Sequence, residues 1–131
     1  MKPGLEESLR FLRLAEKDLK AFMAMKNHPD IAFEIACFHA QQSVEKSLKA
    51  IMFLKKIEFR RTHDLEELAA ILNRNGLVLP LPTEQISRLN PFAVTVRYDD
   101  EDIPTITLAE VHYIAESLWN WANVYIKEAK N

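Results

Sequence analysis

Cysteine and glycine are scarce in this sequence, and each scarcity reduces the range of possible folds. One cysteine, Cys37, stands among 131 residues, so an internal disulfide is excluded. Cys37 lies in an apolar stretch, where a small buried residue is expected. Only two glycines occur, and the six prolines cluster at a few places. Because both residue types interrupt helices, long stretches free of them favour an all-α chain.

Long hydrophobic runs and a strong charge of one sign are also missing. No apolar run approaches the roughly 18 residues that a membrane-spanning helix needs, and the N-terminal segment is charged throughout, unlike a signal peptide. We therefore expect a cytoplasmic protein. Seventeen Lys+Arg against nineteen Asp+Glu give a net charge of −2. That balance argues against a protein that coats nucleic acid through bulk positive charge, but it leaves a local basic site open.

Several motifs of catalysis and metal binding are absent as well. The sequence holds no HExxH zinc motif, no G-x-G-x-x-G and no phosphate-binding P-loop. The four histidines show no i, i+4 pairing, and the lone cysteine has no protease-like context. We therefore predict no metal site from these residues.

Helical periodicity, by contrast, covers nearly the whole chain. Apolar residues recur three or four apart, with charged residues on the other faces. The predicted helices run from about Leu5 to Lys26, Ile31 to Lys56, Leu65 to the "NRNG" stretch, Glu84 to Leu89, and Leu108 to about Lys130. A chain of this length suits one domain. We therefore predict a single domain, residues 1–131, folded as an all-α, up-and-down bundle of four to five helices.

Short polar signals set the predicted helix ends. Asp64 with Glu67, and Thr107 with Glu110, fit capping boxes at the third and the last helix. Thr83 is expected to cap the short helix. The β-prone "AVTV" has no evident strand to pair with, so we interpret it as extended loop.

The last helix carries two tryptophans, Trp119 and Trp121. At about 100° per residue, their side chains point about 200° apart. One of them can face the core, whereas the other needs a different surface to cover it. We predict that a second copy of the chain supplies this surface, in a helix-mediated homodimer. The alternative is that one tryptophan lies flat on its own subunit.

The stretch "FRRTHDLEEL" places several charged side chains just before the third helix. His63 can act as a general acid or base near neutral pH, and Arg60 or Arg61 can hold a phosphate in bidentate fashion. The backbone N–H groups that begin the helix near Asp64 also attract anions. These residues form a candidate phosphate or nucleotide site. The alternative is an ordinary helix start, with Asp64 as its cap and the arginines in solvent.

A polar stripe on the second helix is another candidate. His39, Gln42, Lys46 and Lys49 are spaced by three, four and three residues, so they share one helix face. Such a stripe is either a solvated face or, where a dimer covers part of it, the wall of a cleft.

A third candidate lies in the irregular segment before the last helix. Arg97 and Tyr98 can hold a phosphate and stack on a base. The four acidic residues at 99–102 can hold a divalent cation. The alternative is that these acidic neighbours only neutralise Arg97.

The phrase "FHAQQSVEKSLKAIMFLKK", followed by "THDLEEL" and later by "RYDD", resembles the HEPN family (higher eukaryote and prokaryote nucleotide-binding domains). The resemblance covers nearly the whole chain. It implies a helical bundle that dimerises, with a nucleotide, with or without magnesium, or RNA as ligand. It also implies a minimal nucleotidyltransferase as partner, in a toxin–antitoxin-like pair. The positions that match the family's motifs are Gln42, Glu45, Lys46, Lys49, His63, Asp64, Arg97 and Tyr98.

One feature of the family's ribonucleases is missing from this chain. Those members resemble one another in an R-x(4–6)-H motif, and no histidine here has an arginine five to seven positions before it. Three hypotheses follow. The first is a nucleotide-binding or partner module without strong catalysis of its own. The second is a metal-independent RNase toxin that uses His63 with Arg60, Arg61 or Arg97, and the third is a purely structural partner protein.

Overall fold

The computed structural model describes residues 4–94 and 105–130, which fold into helices packed side by side. Their order is α1 (Leu5–Met25), α2 (Phe33–Lys55), α3 (Leu65–Arg74), α4 (Thr83–Ile86), a 3₁₀ helix (Ser87–Ala93) and α5 (Leu108–Lys130). These residues contain no strand, so the all-α prediction is confirmed. The three long helices begin and end within two residues of the predicted bounds. None of the described helices is long and apolar enough to cross a membrane.

Helices α1 and α2 form the most extensive helix pair of the described residues. The Ser8 hydroxyl donates to the Ala50 carbonyl at 2.7 Å, and the Ser43 hydroxyl donates to the Ala15 carbonyl at 2.8 Å. Residue numbers therefore rise on one helix as they fall on the other, so the two helices are antiparallel. Small side chains at this contact let the two backbones approach closely, and each buried serine hydroxyl finds its acceptor in a backbone carbonyl of the facing helix.

Gly4 begins α1 at a position that only glycine fits. Its φ of +83° lies in the left-handed region, and an added Cβ would lie 2.2 Å from the Phe53 carbonyl oxygen. Both the backbone conformation and the close approach to α2 therefore exclude a side chain there.

Helix α2 is the centre of the core. It packs against α1, α3, α5 and the 3₁₀ helix, and its apolar stripe, including Val44, Leu48 and Ile51, is fully buried. Each such leucine or isoleucine stabilises the fold by about 1.5–3 kcal/mol. Cys37 is buried here as expected, and burial raises the pKa of its thiol to about 12. The thiol therefore stays protonated and unreactive near neutral pH.

The predicted helix ends are confirmed in part. The Asp64 carboxylate accepts from the Glu66 and Glu67 N–H groups at 3.0 and 3.5 Å, and the Thr107 hydroxyl accepts from the Glu110 N–H at 3.1 Å. The return half of the first capping box is absent, because the Asp64 N–H donates to the Thr62 hydroxyl instead.

One expectation about the following segment was wrong, and another was right for only one of its two described residues. Pro82 rather than Thr83 precedes the short helix, and the Thr83 hydroxyl accepts from Asn73 at 3.2 Å instead of capping. The proline is already extended, at ψ 148°, so the chain turns into the helix one residue early. Of the "AVTV" segment, Ala93 ends the 3₁₀ helix rather than starting a loop, and Val94 is extended. The rest of that segment lies outside the described residues.

The two tryptophans of α5 do face different neighbours. Trp119 is half-buried and its indole N–H donates to the Leu12 carbonyl of α1 at 3.2 Å. Trp121, also half-buried, lies against Tyr125 with ring centroids 6.0 Å apart. Each indole thus has a partner within its own subunit, while the surface around Trp121 stays open.

Candidate functional site

Three residues of the polar stripe on α2 contact two different carboxylates. His39 Nδ1 lies 3.0 Å from Asp18 Oδ1, and Lys46 Nζ lies 2.5 Å from Asp18 Oδ2. We call Asp18, His39 and Lys46 the Asp18 cluster. Asp18 belongs to α1, so these contacts join the two antiparallel helices. Lys46, a predicted ligand-binding residue, is thereby paired with a carboxylate.

The second carboxylate, Glu45, lies on α2 itself and is 4% exposed. Its Oε2 accepts from Lys49 Nζ at 2.9 Å. Its Oε1 lies 2.9 Å from His63 Nδ1 and accepts from Gln41 Nε2 at 3.2 Å. A buried carboxylate is stable only when it is paired and hydrogen-bonded, and these three partners satisfy that need. We call Gln41, Glu45, Lys49 and His63 the Glu45 cluster.

Gln41 extends this cluster in a way that the sequence did not indicate. Besides Glu45, its Nε2 donates to the His63 carbonyl at 3.3 Å, and its Oε1 accepts from Gln42 Nε2 at 2.7 Å. Gln42, the residue that the family resemblance singled out, therefore contacts Gln41 and not Glu45 itself. The signal available in the sequence was spacing, because residues 41, 45 and 49 repeat every four positions on one helix face.

His63 is the exposed member of the Glu45 cluster, with 67% of its side chain open to solvent. An ionised carboxylate can only accept hydrogen bonds, so Nδ1 must carry the proton that is donated to Glu45. In the neutral imidazole, Nε2 then has a free lone pair, which suits a general base or a hydrogen-bond acceptor. In the protonated imidazole, Nε2–H is a donor for a phosphate.

The remaining charged residues of "FRRTHDLEEL" separate into bound and free ones. Arg60 Nε and Nη2 both donate to Glu67 Oε1, at 3.0 and 2.7 Å, and this hydrogen bond raises the pKa of the Arg60 guanidinium. Asp64 Oδ1 caps α3 and also accepts from Asn90 at 3.0 Å. Both side chains thus hold the start of α3. Arg61 is exposed, and no carboxylate of the described residues pairs with it.

An open groove of about 780 Å³ lies beside the Glu45 cluster. Its lining residues come from α1, α2 and the connection to α3, and we call it the aromatic groove. They are Phe11, Lys49, Met52, Phe53, Lys56, Ile57, Glu58, Phe59 and Arg61. Lys49 belongs to both the groove and the Glu45 cluster, so the two features are continuous.

The third candidate, Arg97 with Tyr98, lies outside the described residues. The acidic positions 99–102 lie there too. In the part of the chain that is described, no group of three or more His, Cys, Asp or Glu residues is arranged to hold a metal ion.

The fold and the site together define a helical-bundle domain in which a carboxylate of the central helix holds an exposed histidine beside a groove. A family model described as "HEPN domain" matches residues 8–127. The chain therefore belongs to the HEPN family. Its fold is similar to that in the crystal structure of an archaeal HEPN homologue, with a TM-score of 0.62 and 23% sequence identity, covering 96% of this chain and 99% of that one. No curated protein matches this sequence.

Proposed function

We propose that this HEPN protein is a nucleotide-binding module that functions beside a minimal nucleotidyltransferase, in a toxin–antitoxin-like pair. The observation that carries the binding half is the Glu45 cluster. A buried carboxylate holds His63 in one tautomer at the surface, with Lys49 next to it and an open groove alongside. Family membership supports the same class of ligand.

Calorimetric titration with ATP, GTP and short RNAs, with and without magnesium, tests the binding half. His63→Ala is expected to weaken binding at least about tenfold, because a charge-assisted hydrogen bond contributes about 1.5–3 kcal/mol. His28→Ala is the matched control, since His28 is exposed in the turn between α1 and α2. Absence of binding to every probe would contradict the binding half and leave only the role of a structural partner protein.

The partner half predicts a physical complex. A minimal nucleotidyltransferase encoded in the neighbouring reading frame is expected to co-elute with this chain when the two are expressed together. Its toxin–antitoxin character is expected to appear as growth arrest when one of the two is expressed alone. If no such reading frame exists nearby, or if the two proteins elute separately, the partner half is wrong.

RNA cleavage by His63 is a second candidate function, favoured by the Glu45–His63 hydrogen bond of 2.9 Å. A carboxylate that fixes the tautomer of a histidine is the arrangement used to orient a general base. The missing R-x(4–6)-H spacing argues against it. Purified protein that leaves RNA intact, or a His63→Ala variant that cleaves as fast as the wild type, excludes this function.

We also propose a homodimer formed through the outer face of α5. Tyr113 and Val124 are 57% and 54% exposed there. With Trp121, Tyr125 and Leu81 they line a second groove of about 620 Å³. Val124→Glu is expected to convert a dimer to a monomer in analytical ultracentrifugation, because a buried unpaired charge opposes association. A dimer that persists in this variant would exclude α5 as the interface.

A further inference from the structure

The aromatic groove has a floor of three half-buried phenylalanines that contact one another. The rings of Phe11 and Phe53 lie 4.9 Å apart at an angle of 42°, and those of Phe53 and Phe59 lie 5.6 Å apart at 76°. These rings come from α1, α2 and the connection to α3. Phe11 and Phe59 pack against the core, and all three rings also line the open groove. Accessible aromatic rings of this kind offer faces on which a planar ligand can stack.

The rim of the same groove is positively charged. Lys49, Lys56 and Arg61 line it, against one carboxylate, Glu58. Lys49 is paired with Glu45. For Lys56 and Arg61, the described residues provide no carboxylate partner, and both side chains are exposed. The groove therefore combines aromatic side chains with a net positive charge.

This combination selects a ligand with a planar apolar part and an anionic part. A purely apolar ligand would gain nothing from the cations, and a free phosphate would gain nothing from the phenylalanine rings. A nucleoside phosphate has both parts, since a base stacks on aromatic side chains and a phosphate pairs with arginine and lysine. Lys49 Nζ already lies 5.9 Å from the centroid of the Phe59 ring, so a cation and an aromatic face are adjacent in the groove.

We propose that the aromatic groove binds the base of a nucleoside monophosphate on Phe11, Phe53 and Phe59, with its phosphate toward Arg61 and Lys49. This assignment rests on the proposed nucleotide-binding function. It adds the position of the base and the side chains that favour a ligand with a base. The phosphate is then next to His63, because Lys49 and His63 share the carboxylate of Glu45.

Selectivity between bases follows from the lining of the groove. The three phenylalanine rings on which the base is proposed to stack offer no hydrogen bonds to its edge, and stacking is tolerant of base identity. We therefore expect AMP and GMP to bind within a few-fold of each other. Ribose 5-phosphate, which has the phosphate but no base, is expected to bind at least about tenfold more weakly than AMP.

Calorimetric titration of the full chain with AMP and with ribose 5-phosphate tests the assignment. Phe59→Leu is expected to weaken AMP about fivefold to a hundredfold, the range for the loss of one base–aromatic stack, and to leave ribose 5-phosphate unchanged. Phe33→Leu is the matched control, because Phe33 is half-buried and its ring packs on that of Phe92 at 5.7 Å and 76°, nearly the geometry of the Phe53–Phe59 pair.

A second variant keeps the test valid if Phe59→Leu destabilises the fold. Arg61→Gln changes an exposed side chain and is expected to weaken AMP and ribose 5-phosphate alike, by about tenfold. Arg74→Gln, at the far end of α3, is its control and is expected to leave both affinities unchanged.

The possible failures are distinguishable. If AMP binds but both Phe59→Leu and Arg61→Gln bind it like the wild type, the groove assignment is wrong and the nucleotide-binding function stands. Equal affinities for AMP and ribose 5-phosphate also overturn the assignment. If AMP binding depends on Phe59 and Arg61 but not on His63, the groove stands and the Glu45 cluster is not the site. Absence of binding to any nucleotide overturns both proposals.

Discussion

Asp18 and Glu45 each lie between a histidine and a lysine, but the two clusters differ in what they expose. In the Asp18 cluster, His39 and Lys46 are 27% and 25% exposed, and the carboxylate joins α1 to α2. In the Glu45 cluster the carboxylate and Lys49 are 5% and 12% exposed, while His63 is 67% exposed. A carboxylate, a histidine and a lysine therefore lie between two helices in the Asp18 cluster, whereas in the Glu45 cluster they lie at an open surface.

The difference indicates what turns a polar cluster into a site. In the Asp18 cluster all three members are partly covered by the helix pair that they join. In the Glu45 cluster the buried charges are those of Glu45 and Lys49, and the histidine that Glu45 holds stays open beside a groove. A fixed tautomer on an accessible ring is useful to a ligand, whereas an ion pair between two helices mainly stabilises the bundle.

The largest expected effect is on stability, from Glu45→Ala. This change leaves Lys49 almost buried without its carboxylate and removes the acceptor of Gln41. We expect the free energy of unfolding, measured by urea denaturation, to fall by about 3–5 kcal/mol. The double variant Glu45→Met with Lys49→Met removes both charges and keeps the volume, so it should lose clearly less. A loss below about 1 kcal/mol for Glu45→Ala would mean that this carboxylate behaves as an exposed one.

Asp18→Ala is expected to have an intermediate effect. The lysine and histidine that it leaves behind are partly exposed and can be hydrated, so the loss should be about 1–2 kcal/mol in the same urea experiment. Nucleotide affinity should not change. Asp18→Asn, which keeps an acceptor oxygen but not the charge, should recover part of the loss. A loss as large as that of Glu45→Ala, or weaker nucleotide binding, would remove the distinction between the two clusters.

The helices were predictable from the sequence because their causes are local. Apolar spacing set the three long helices, and the Asp64 and Thr107 caps involve residues only two or three positions away. The second helix was predicted to begin at Ile31 but begins at Phe33, after Ala32 in extended conformation. Helix starts without a side-chain cap are poorly marked in a sequence.

The site was less predictable because its contacts are tertiary. Nothing in the α1 sequence indicates that Asp18 meets His39 and Lys46, since the contact depends on how two antiparallel helices align. Lys46 was consequently grouped with the ligand-binding residues, although its charge is paired. The sequence analysis selected Gln42 and missed its neighbour Gln41. A family resemblance matches positions between sequences and does not show which side chain makes a hydrogen bond. The aromatic groove joins Phe11 to Phe59, which are far apart in sequence.

The smallest expected change in stability comes from His63→Ala, and it gives the sharpest contrast with His39→Ala. His63 is mostly exposed, and Gln41 still donates to the Glu45 oxygen that His63 contacts. Its removal should therefore change the free energy of unfolding by no more than about 0.5 kcal/mol while weakening nucleotide binding about tenfold. His39 is mostly covered and hydrogen-bonded to Asp18, so its removal should lower the free energy of unfolding by about 1 kcal/mol and leave nucleotide binding unchanged.

Urea denaturation and calorimetry on the same four proteins (wild type, the two single variants and the double variant) separate the two effects. Independent clusters require that the two changes add within about 0.5 kcal/mol. A strong deviation from additivity, or a loss of binding in His39→Ala, would show that the clusters act as one network along α2, and that the open histidine is not what distinguishes the site.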